Sequence, residues 1–140
     1  MGNQSSHSNK INYEDVQFIL QHSSDFVLIN TLDVTNQQCL ISTTVDIYKE
    51  EEIINQFISM GKKEIPIVIY GENCNDEKLH SKYTQLKNLG FNNIYLYTGG
   101  LFEWLLLQDI YGEKEFPTTK KQLDILKYTP VKILNLLLLK

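Results

Sequence analysis

The chain of 140 residues has no arginine and no alanine, and only three of its residues are proline. All thirteen basic residues are therefore lysines. Without a guanidinium group the chain cannot use an arginine finger, bind phosphate through a bidentate arginine, or form the phosphate-binding loop of cysteine phosphatases. The same bias would also arise from an AT-rich genome, whose codons favour Lys, Asn and Ile. Both explanations are compatible with the sequence.

Cysteine, basic charge and long apolar runs are also scarce. The two cysteines, Cys39 and Cys74, are too few for a disulfide scaffold and do not form a C-x-x-C pair. There is no secretory signal and no apolar run of the roughly 18–20 residues that cross a bilayer. The formal net charge of −4 disfavours a nucleic-acid partner. We expect a cytoplasmic protein with no metal site and no cofactor.

The length and the 42% of hydrophobic residues are sufficient for one domain with short appendages. Residues 1–10 are polar after the initiator and predict a flexible N-terminal arm. Residues 11–117 contain the candidate domain. Residues 118–140 predict a C-terminal helical extension, interrupted by Pro130.

Apolar patterning predicts strands and helices in alternation. Short apolar runs, typical of strands buried on both faces, predict strands at residues 26–29, 39–45, 65–70 and 94–97. Helical spacing predicts four helices. The first runs from a cap at Asn9 or Asn12 to residue 22, and the third from a cap at Asn75 or Asp76 to a stop at Gly90. The second and fourth cover residues 49–60 and 101–111. This order indicates an α/β fold: a mostly parallel sheet with helices on both faces.

Ligands of such sheets bind outside the carboxyl ends of the strands. The segments that follow the two clearest strands are residues 70–76 and residues 98–101. We therefore expect a functional site, if the chain has one, where these two segments meet.

Several pieces of the chain together resemble a rhodanese-like (sulfurtransferase) domain over roughly residues 11–117. The most specific piece is Leu89-Gly-Phe-Asn-Asn-Ile-Tyr-Leu96, followed by Gly99-Gly100 and then Trp104. Weaker pieces are Ile11-Asn-Tyr-Glu14, Phe26-Val-Leu-Ile-Asn30 and Ile67-Val-Ile-Tyr70. The resemblance implies a single rhodanese-like domain.

The resemblance implies a position for the catalytic residue. In active members of the family a cysteine directly follows the strand that corresponds to the one ending at Tyr70 in this chain. That cysteine carries a persulfide, and backbone N–H groups of the loop converge on its sulfur. Gly71 stands at this position, and the loop lacks the expected basic residues, reading Gly71, Glu72, Asn73, Cys74, Asn75, Asp76. An Asp-x-Arg motif is replaced by residues 30–32, and Cys39 stands in place of a usual histidine. These departures predict a catalytically degenerate member that acts as a protein-binding or regulatory module.

Cys74 is the alternative catalytic residue. A helix N-terminus near Asp76 favours its thiolate, whereas the carboxylates of Glu72, Asp76 and Glu77 disfavour it and repel an anionic donor such as thiosulfate. A loop cysteine without a chemical role is the favoured interpretation; a thiosulfate or persulfide sulfurtransferase with Cys74 as sulfur carrier is the alternative. A third interpretation is a small-ligand pocket in which Gly71 leaves space.

Both chain ends suggest an interaction with something outside the domain. Residues 1–6, Met-Gly-Asn-Gln-Ser-Ser, fit the N-myristoylation pattern with Gly2 as acceptor, although so short a motif also occurs by chance. A single myristoyl chain would give reversible, peripheral membrane contact. Residues 131–139 are almost wholly apolar, which favours a helix docked on the domain over an exposed helix that binds a partner or an interface.

Overall fold

A computed structural model describes residues 9–134 of the chain. Its sheet has four strands in the order β1-β4-β3-β2, and every neighbouring pair is parallel. The strands are β1 (Lys10–Ile11), β2 (Val27–Asn30), β3 (Ile67–Tyr70) and β4 (Ile94–Tyr97). The predicted parallel sheet is therefore confirmed, with three of the four predicted strands in it and a short first strand that the sequence did not indicate.

Four α-helices lie where helical spacing predicts them: α1 (Tyr13–Gln21), α2 (Glu50–Ser59), α3 (Lys78–Asn88) and α4 (Gly100–Tyr111). Asn12 caps α1 in a reciprocal capping box with Asp15. The cap predicted at Asn75 or Asp76 is wrong, because α3 begins at Lys78 with Glu77 at the N-cap, and Glu77 makes no side-chain cap bond. Gly61 and Gly90 have φ of +69° and +100° just beyond α2 and α3, so each takes the left-handed conformation that ends a helix.

The strands are buried on both faces because each face supports its own helices. Leu28, Val68 and Tyr70 belong to the apolar cluster that includes Trp104 of α4 and residues of α1. The alternate residues of the same strands belong to a second cluster with α2 and α3: Val27, Ile29, Ile67 and Ile69. This arrangement explains the continuous apolar runs.

The strand predicted over residues 39–45 is wrong. Cys39, Leu40 and Ile41 are buried. The backbone N–H groups of Leu40 and Ile41 donate to side chains and not to a strand: Leu40 to Thr119 Oγ1 (3.1 Å) and Ile41 to the Tyr70 hydroxyl (3.1 Å). Thr43 then has φ +67°, which turns the chain away. The apolar run is buried by packing against other parts of the core, without a neighbouring strand.

The predicted C-terminal helix is absent from residues 120–133, and Leu134, the last described residue, is helical. From Lys120 to Ile133 there is only a 3₁₀ turn, Ile125–Tyr128, and Val131 is 80% exposed instead of docked. Residues 135–140 lie outside the described residues, as do residues 1–8 with Gly2 and most of the predicted arm. No helix within residues 9–134 is long and apolar enough to cross a membrane.

Candidate functional site

The loop after β3 meets the start of α4, as the position of the strand ends predicts. The backbone N–H of Leu101 donates to the carbonyl of Gly71 (2.9 Å), and that of Phe102 donates to the carbonyl of Glu72 (2.9 Å). These bonds hold the loop against the first turn of α4. The two segments expected to form a site therefore lie in contact.

Gly100 allows this close approach. Its φ is +72°, and a Cβ there would lie 2.9 Å from Asn73 Cα, Asn73 N and the carbonyl oxygen of Gly71. These neighbours are backbone atoms, which cannot swing aside as a flexible side chain can. Glycine is required at this position both for the backbone angle and for the space.

The carboxylate of Asp76 fills the inside of the loop. Its Oδ2 accepts hydrogen bonds from the backbone N–H of Glu72 (3.0 Å) and the hydroxyl of Thr31 (2.9 Å), and its Oδ1 accepts one from the N–H of Lys78 (2.9 Å). A Cβ on Gly71 would lie 2.4 Å from Oδ2, far inside van der Waals contact. The space that the absent side chain at position 71 leaves is thus occupied by a carboxylate of the protein itself.

Cys74 lies on the exposed outer part of the loop. Its thiol donates a long hydrogen bond to Asn75 Oδ1, at 3.9 Å. The N–H groups of Asn75 and Asp76 donate instead to Asn73, at its Oδ1 (2.9 Å) and carbonyl oxygen (3.3 Å). Among the described hydrogen bonds, none from a loop N–H group goes to the thiol.

Asn73 connects the loop to the C-terminal part of the chain. Its side chain is buried, and Nδ2 donates to the carbonyl of Tyr128 (2.9 Å). A cavity of about 510 Å³ opens beside this contact, lined by Thr31, Glu72, Asp76, Lys78 and Val131 among others. Cys74 does not line it. No local sequence signal pairs Asn73 with Tyr128, because the two residues are 55 positions apart.

The turn at the end of β2, residues 30–32, is held partly by the amide side chains of Asn30 and Gln37. The side chains of Asn30 and Gln37 exchange two hydrogen bonds, of 3.1 and 2.9 Å. Asn30 Oδ1 also accepts from the N–H of Leu32 (3.0 Å), which closes a tight turn. These amides and the bond from the Thr31 hydroxyl to Asp76 hold the turn beside the loop.

Buried polar side chains below the loop are structural. The Tyr70 hydroxyl accepts from Ile41 N and lies 2.8 Å from Thr44 Oγ1, and burial raises the pKa of this phenol. The Cys39 thiol donates to the carbonyl of Lys120 (3.1 Å), and burial raises its pKa as well. Neither group is therefore available as a nucleophile at neutral pH.

The loop also offers little to a cation or to an anionic substrate. Within residues 9–134, no three His, Cys, Asp or Glu side chains are close enough together to hold a metal ion. Its charged groups are Glu72, Asp76 and Glu77, followed by Lys78 at the start of α3. The local charge is negative where a sulfur donor such as thiosulfate would approach.

The sequence profile of the Rhodanese-like domain matches residues 29–107, which is more than half of the chain. No curated protein matches the sequence. The match includes the second half of β2, all of β3 with the loop after it, and most of α4.

Solved structures share the fold at low sequence identity. A solution structure of the rhodanese-like domain of the Alr3790 protein from Anabaena sp. is 21% identical, with 90% of this chain and 87% of that chain covered and a TM-score of 0.58. A full-length protein from Lactobacillus plantarum is 15% identical, with coverages of 84% and 92% and a TM-score of 0.62. A thiosulfate sulfurtransferase from Pseudomonas aeruginosa is 15% identical over 74% of this chain and 20% of its own, with a TM-score of 0.56. At these identities the likeness concerns the fold.

Proposed function

The chain belongs to the rhodanese-like domain family, and from that premise we propose that it acts as a protein-binding or regulatory module without sulfurtransferase activity. One observation carries the proposal: Asp76 Oδ2 lies 2.4 Å from the place of a Cβ on Gly71. A side chain that carries a persulfide cannot stand there while the carboxylate occupies the loop. The proposal also extends to attachment at a membrane through Gly2.

The hydrogen bonds of the loop support this proposal further. In an active member the loop N–H groups would stabilise an anionic sulfur, whereas here those of Glu72 and Lys78 stabilise the carboxylate of Asp76. The protein's own negative charge takes the place of a substrate anion. A donor anion would meet Glu72 and Glu77 on its approach and lose the amides that should bind it.

The direct test is cyanide-dependent thiosulfate sulfurtransferase activity of the full chain. We expect no activity above that of the buffer for the unaltered protein, Cys74→Ser or the matched control Cys39→Ser. Activity that disappears in Cys74→Ser and persists in Cys39→Ser would overturn the proposal. A known sulfurtransferase in the same assay shows that the reagents work.

The alternative function is sulfur transfer through Cys74, and the exposure of its thiol favours it. In that reaction the thiolate attacks the outer sulfur of thiosulfate, the S–S bond breaks, and sulfite leaves. Cyanide then removes the added sulfur as thiocyanate and regenerates the thiolate. Mass spectrometry after incubation with thiosulfate would show one extra sulfur atom on the Cys74 peptide; an unmodified peptide would exclude this function.

Myristoylation of Gly2 is proposed on the sequence pattern alone, since the acceptor lies outside the described residues. In cells that contain N-myristoyltransferase, we expect labelled myristate to be incorporated into the chain. The label should be lost in Gly2→Ala and retained in Gly61→Ala, which changes a glycine far along the chain. Absence of label from the unaltered protein would refute this part of the proposal.

A further inference from the structure

We propose that residues 120–134, the C-terminal segment, form a surface that binds the anionic face of a membrane, with or without a lipid on Gly2. The segment combines exposed apolar side chains, exposed lysines and a backbone fixed to the domain. This proposal does not depend on the absence of catalysis, and its test uses protein without an acyl chain.

The apolar side chains of the C-terminal segment are unusually open to solvent. At least 64% of each of these side chains is exposed. Tyr128 is the one fully buried residue within residues 120–134. The exposed side chains are Leu123, Leu126, Val131, Ile133 and Leu134. A monomer in water gains nothing from this exposure, whereas insertion at the boundary between lipid headgroups and acyl chains would remove these surfaces from water.

The charge of the C-terminal segment selects the kind of surface it can bind. Four exposed lysines, Lys120, Lys121, Lys127 and Lys132, accompany a single carboxylate, that of Asp124. Residues 120–134 thus carry a net charge of +3 in a chain whose net charge is −4, whereas Glu72, Asp76 and Glu77 line the cavity beside Val131 and Ile133. Basic side chains interleaved with apolar ones match anionic lipid, because lysines contact the headgroups while the apolar side chains enter below them.

The backbone of the C-terminal segment is held in place from inside. The carbonyl of Lys120 accepts from Cys39 Sγ (3.1 Å), and the carbonyl of Tyr128 accepts from Asn73 Nδ2 (2.9 Å). Buried Tyr128 packs in the core beside α4. The one ion pair of the segment, between Lys121 and Glu113 (3.1 Å), is exposed on both sides and costs little to exchange for a headgroup.

A myristoyl chain on Gly2 would be a second membrane signal beside the C-terminal segment. One myristoyl chain alone binds only marginally, and a basic patch is the second signal that makes such anchoring stable.

The test measures co-sedimentation of the full, unacylated chain with vesicles of phosphatidylcholine alone or of phosphatidylcholine with phosphatidylserine. We expect binding only to the vesicles with phosphatidylserine, and weaker binding as salt is added. Lys120→Gln/Lys132→Gln should weaken binding about thirtyfold, since both lysines contribute at the lipid surface. The control pair Lys49→Gln/Lys62→Gln has the same net charge and should change binding less than twofold.

A second pair of variants tests the apolar contribution. Leu126→Ser/Ile133→Ser should lose most of the binding, and Met60→Ser, also at an exposed apolar residue, should keep it. Circular dichroism should be the same for all variants because the changed side chains are on the surface. Three results would overturn the proposal: equal binding to both vesicle types, equal losses in the control pair, or no binding to vesicles. Absence of binding to vesicles would favour a protein as the partner of the segment.

Discussion

Gly71 and Asp76 together determine how the inside of the loop after β3 is filled. Gly71 leaves room for the Asp76 carboxylate, and that carboxylate accepts three hydrogen bonds from Glu72, Thr31 and Lys78. A charged acceptor with this many donors stabilises the loop without a ligand. The arrangement favours a stable loop over an open anion site.

Gly100 provides a prediction about how tightly this loop is packed. Gly100→Ala should lower the free energy of unfolding by about 3 kcal/mol, because alanine is strained at φ +72° and its Cβ meets backbone atoms at 2.9 Å. Gly61→Ala is the matched control, since φ is +69° there and nothing lies within 4 Å, and it should cost only about 1 kcal/mol. Urea denaturation measures both; equal losses would contradict the close packing at Gly100.

The two thiols should differ in reactivity. Cys74 is exposed, whereas Cys39 is buried with a raised pKa. A thiol reagent at neutral pH should therefore label Cys74 quickly and Cys39 only after denaturation. Cys74→Ser should abolish the fast reaction, and Cys39→Ser should leave it intact; rapid labelling of Cys39 in the folded protein would show that its surroundings are open.

At the scale of elements, local capping determines where the first helix begins. The Asn12 side chain accepts from the N–H of Asp15 (3.1 Å), and Asp15 Oδ2 accepts from the N–H of Asn12 (3.2 Å). Asn12→Ala should reduce the free energy of unfolding by about 1 kcal/mol. Asn55→Ala, on the exposed face of α2, should be neutral or slightly stabilising because alanine is the better helix former. The midpoints of urea denaturation measure both changes. An unchanged midpoint for Asn12→Ala would show that the cap does not stabilise α1.

Elements were predictable from the sequence where local signals and burial agree. Glycine positions and helical spacing are sufficient to place α2 and α3, and continuous apolar runs are sufficient for β3 and β4. Residues 39–45 have the same apolar character, but Ile41 pairs with Thr118 only through an isolated bridge. Burial alone does not make a strand, since a strand also needs a free sheet edge that continues beside it.

At the scale of the whole molecule, the core contains titratable groups that should make the fold sensitive to alkali. Burial raises the pKa of Cys39 and of Tyr70, and burial with a hydrogen bond to Glu103 raises that of Tyr97. The unfolded chain therefore releases these protons first. The free energy of unfolding should be highest below about pH 8.5 and should fall above it as the Cys39 thiol of the unfolded chain ionises. It should fall further above about pH 10, where the tyrosines of the unfolded chain ionise.

Denaturation with urea at several pH values measures this effect. Tyr97→Phe should reduce the loss of stability above about pH 10, because phenylalanine has no proton to release. Tyr48→Phe, at a side chain that is 80% exposed, should leave the pH dependence unchanged. A stability that is constant up to about pH 11 would contradict the burial of these groups.

The candidate site was only partly predictable. The position of the loop, the glycine at position 71 and the acidic surroundings are all visible in the sequence. The hydrogen bonds of Asp76 and the contact of Asn73 with Tyr128 are not, because they join residues that only folding brings together. For the same reason the sequence could not indicate that residues 120–134 leave their apolar side chains exposed.

The sequence by itself determined the α/β order, the positions of the four helices, the family and the lack of guanidinium chemistry, since these depend on residue type and local spacing. Only the tertiary structure decided what occupies the loop and what the C-terminal segment presents to solvent. Both depend on contacts between distant parts of the chain, and the energy of such contacts is set by distance and burial in three dimensions. The absent arginines exclude one kind of anion binding, and the Asp76 carboxylate accepts the hydrogen bonds of the loop.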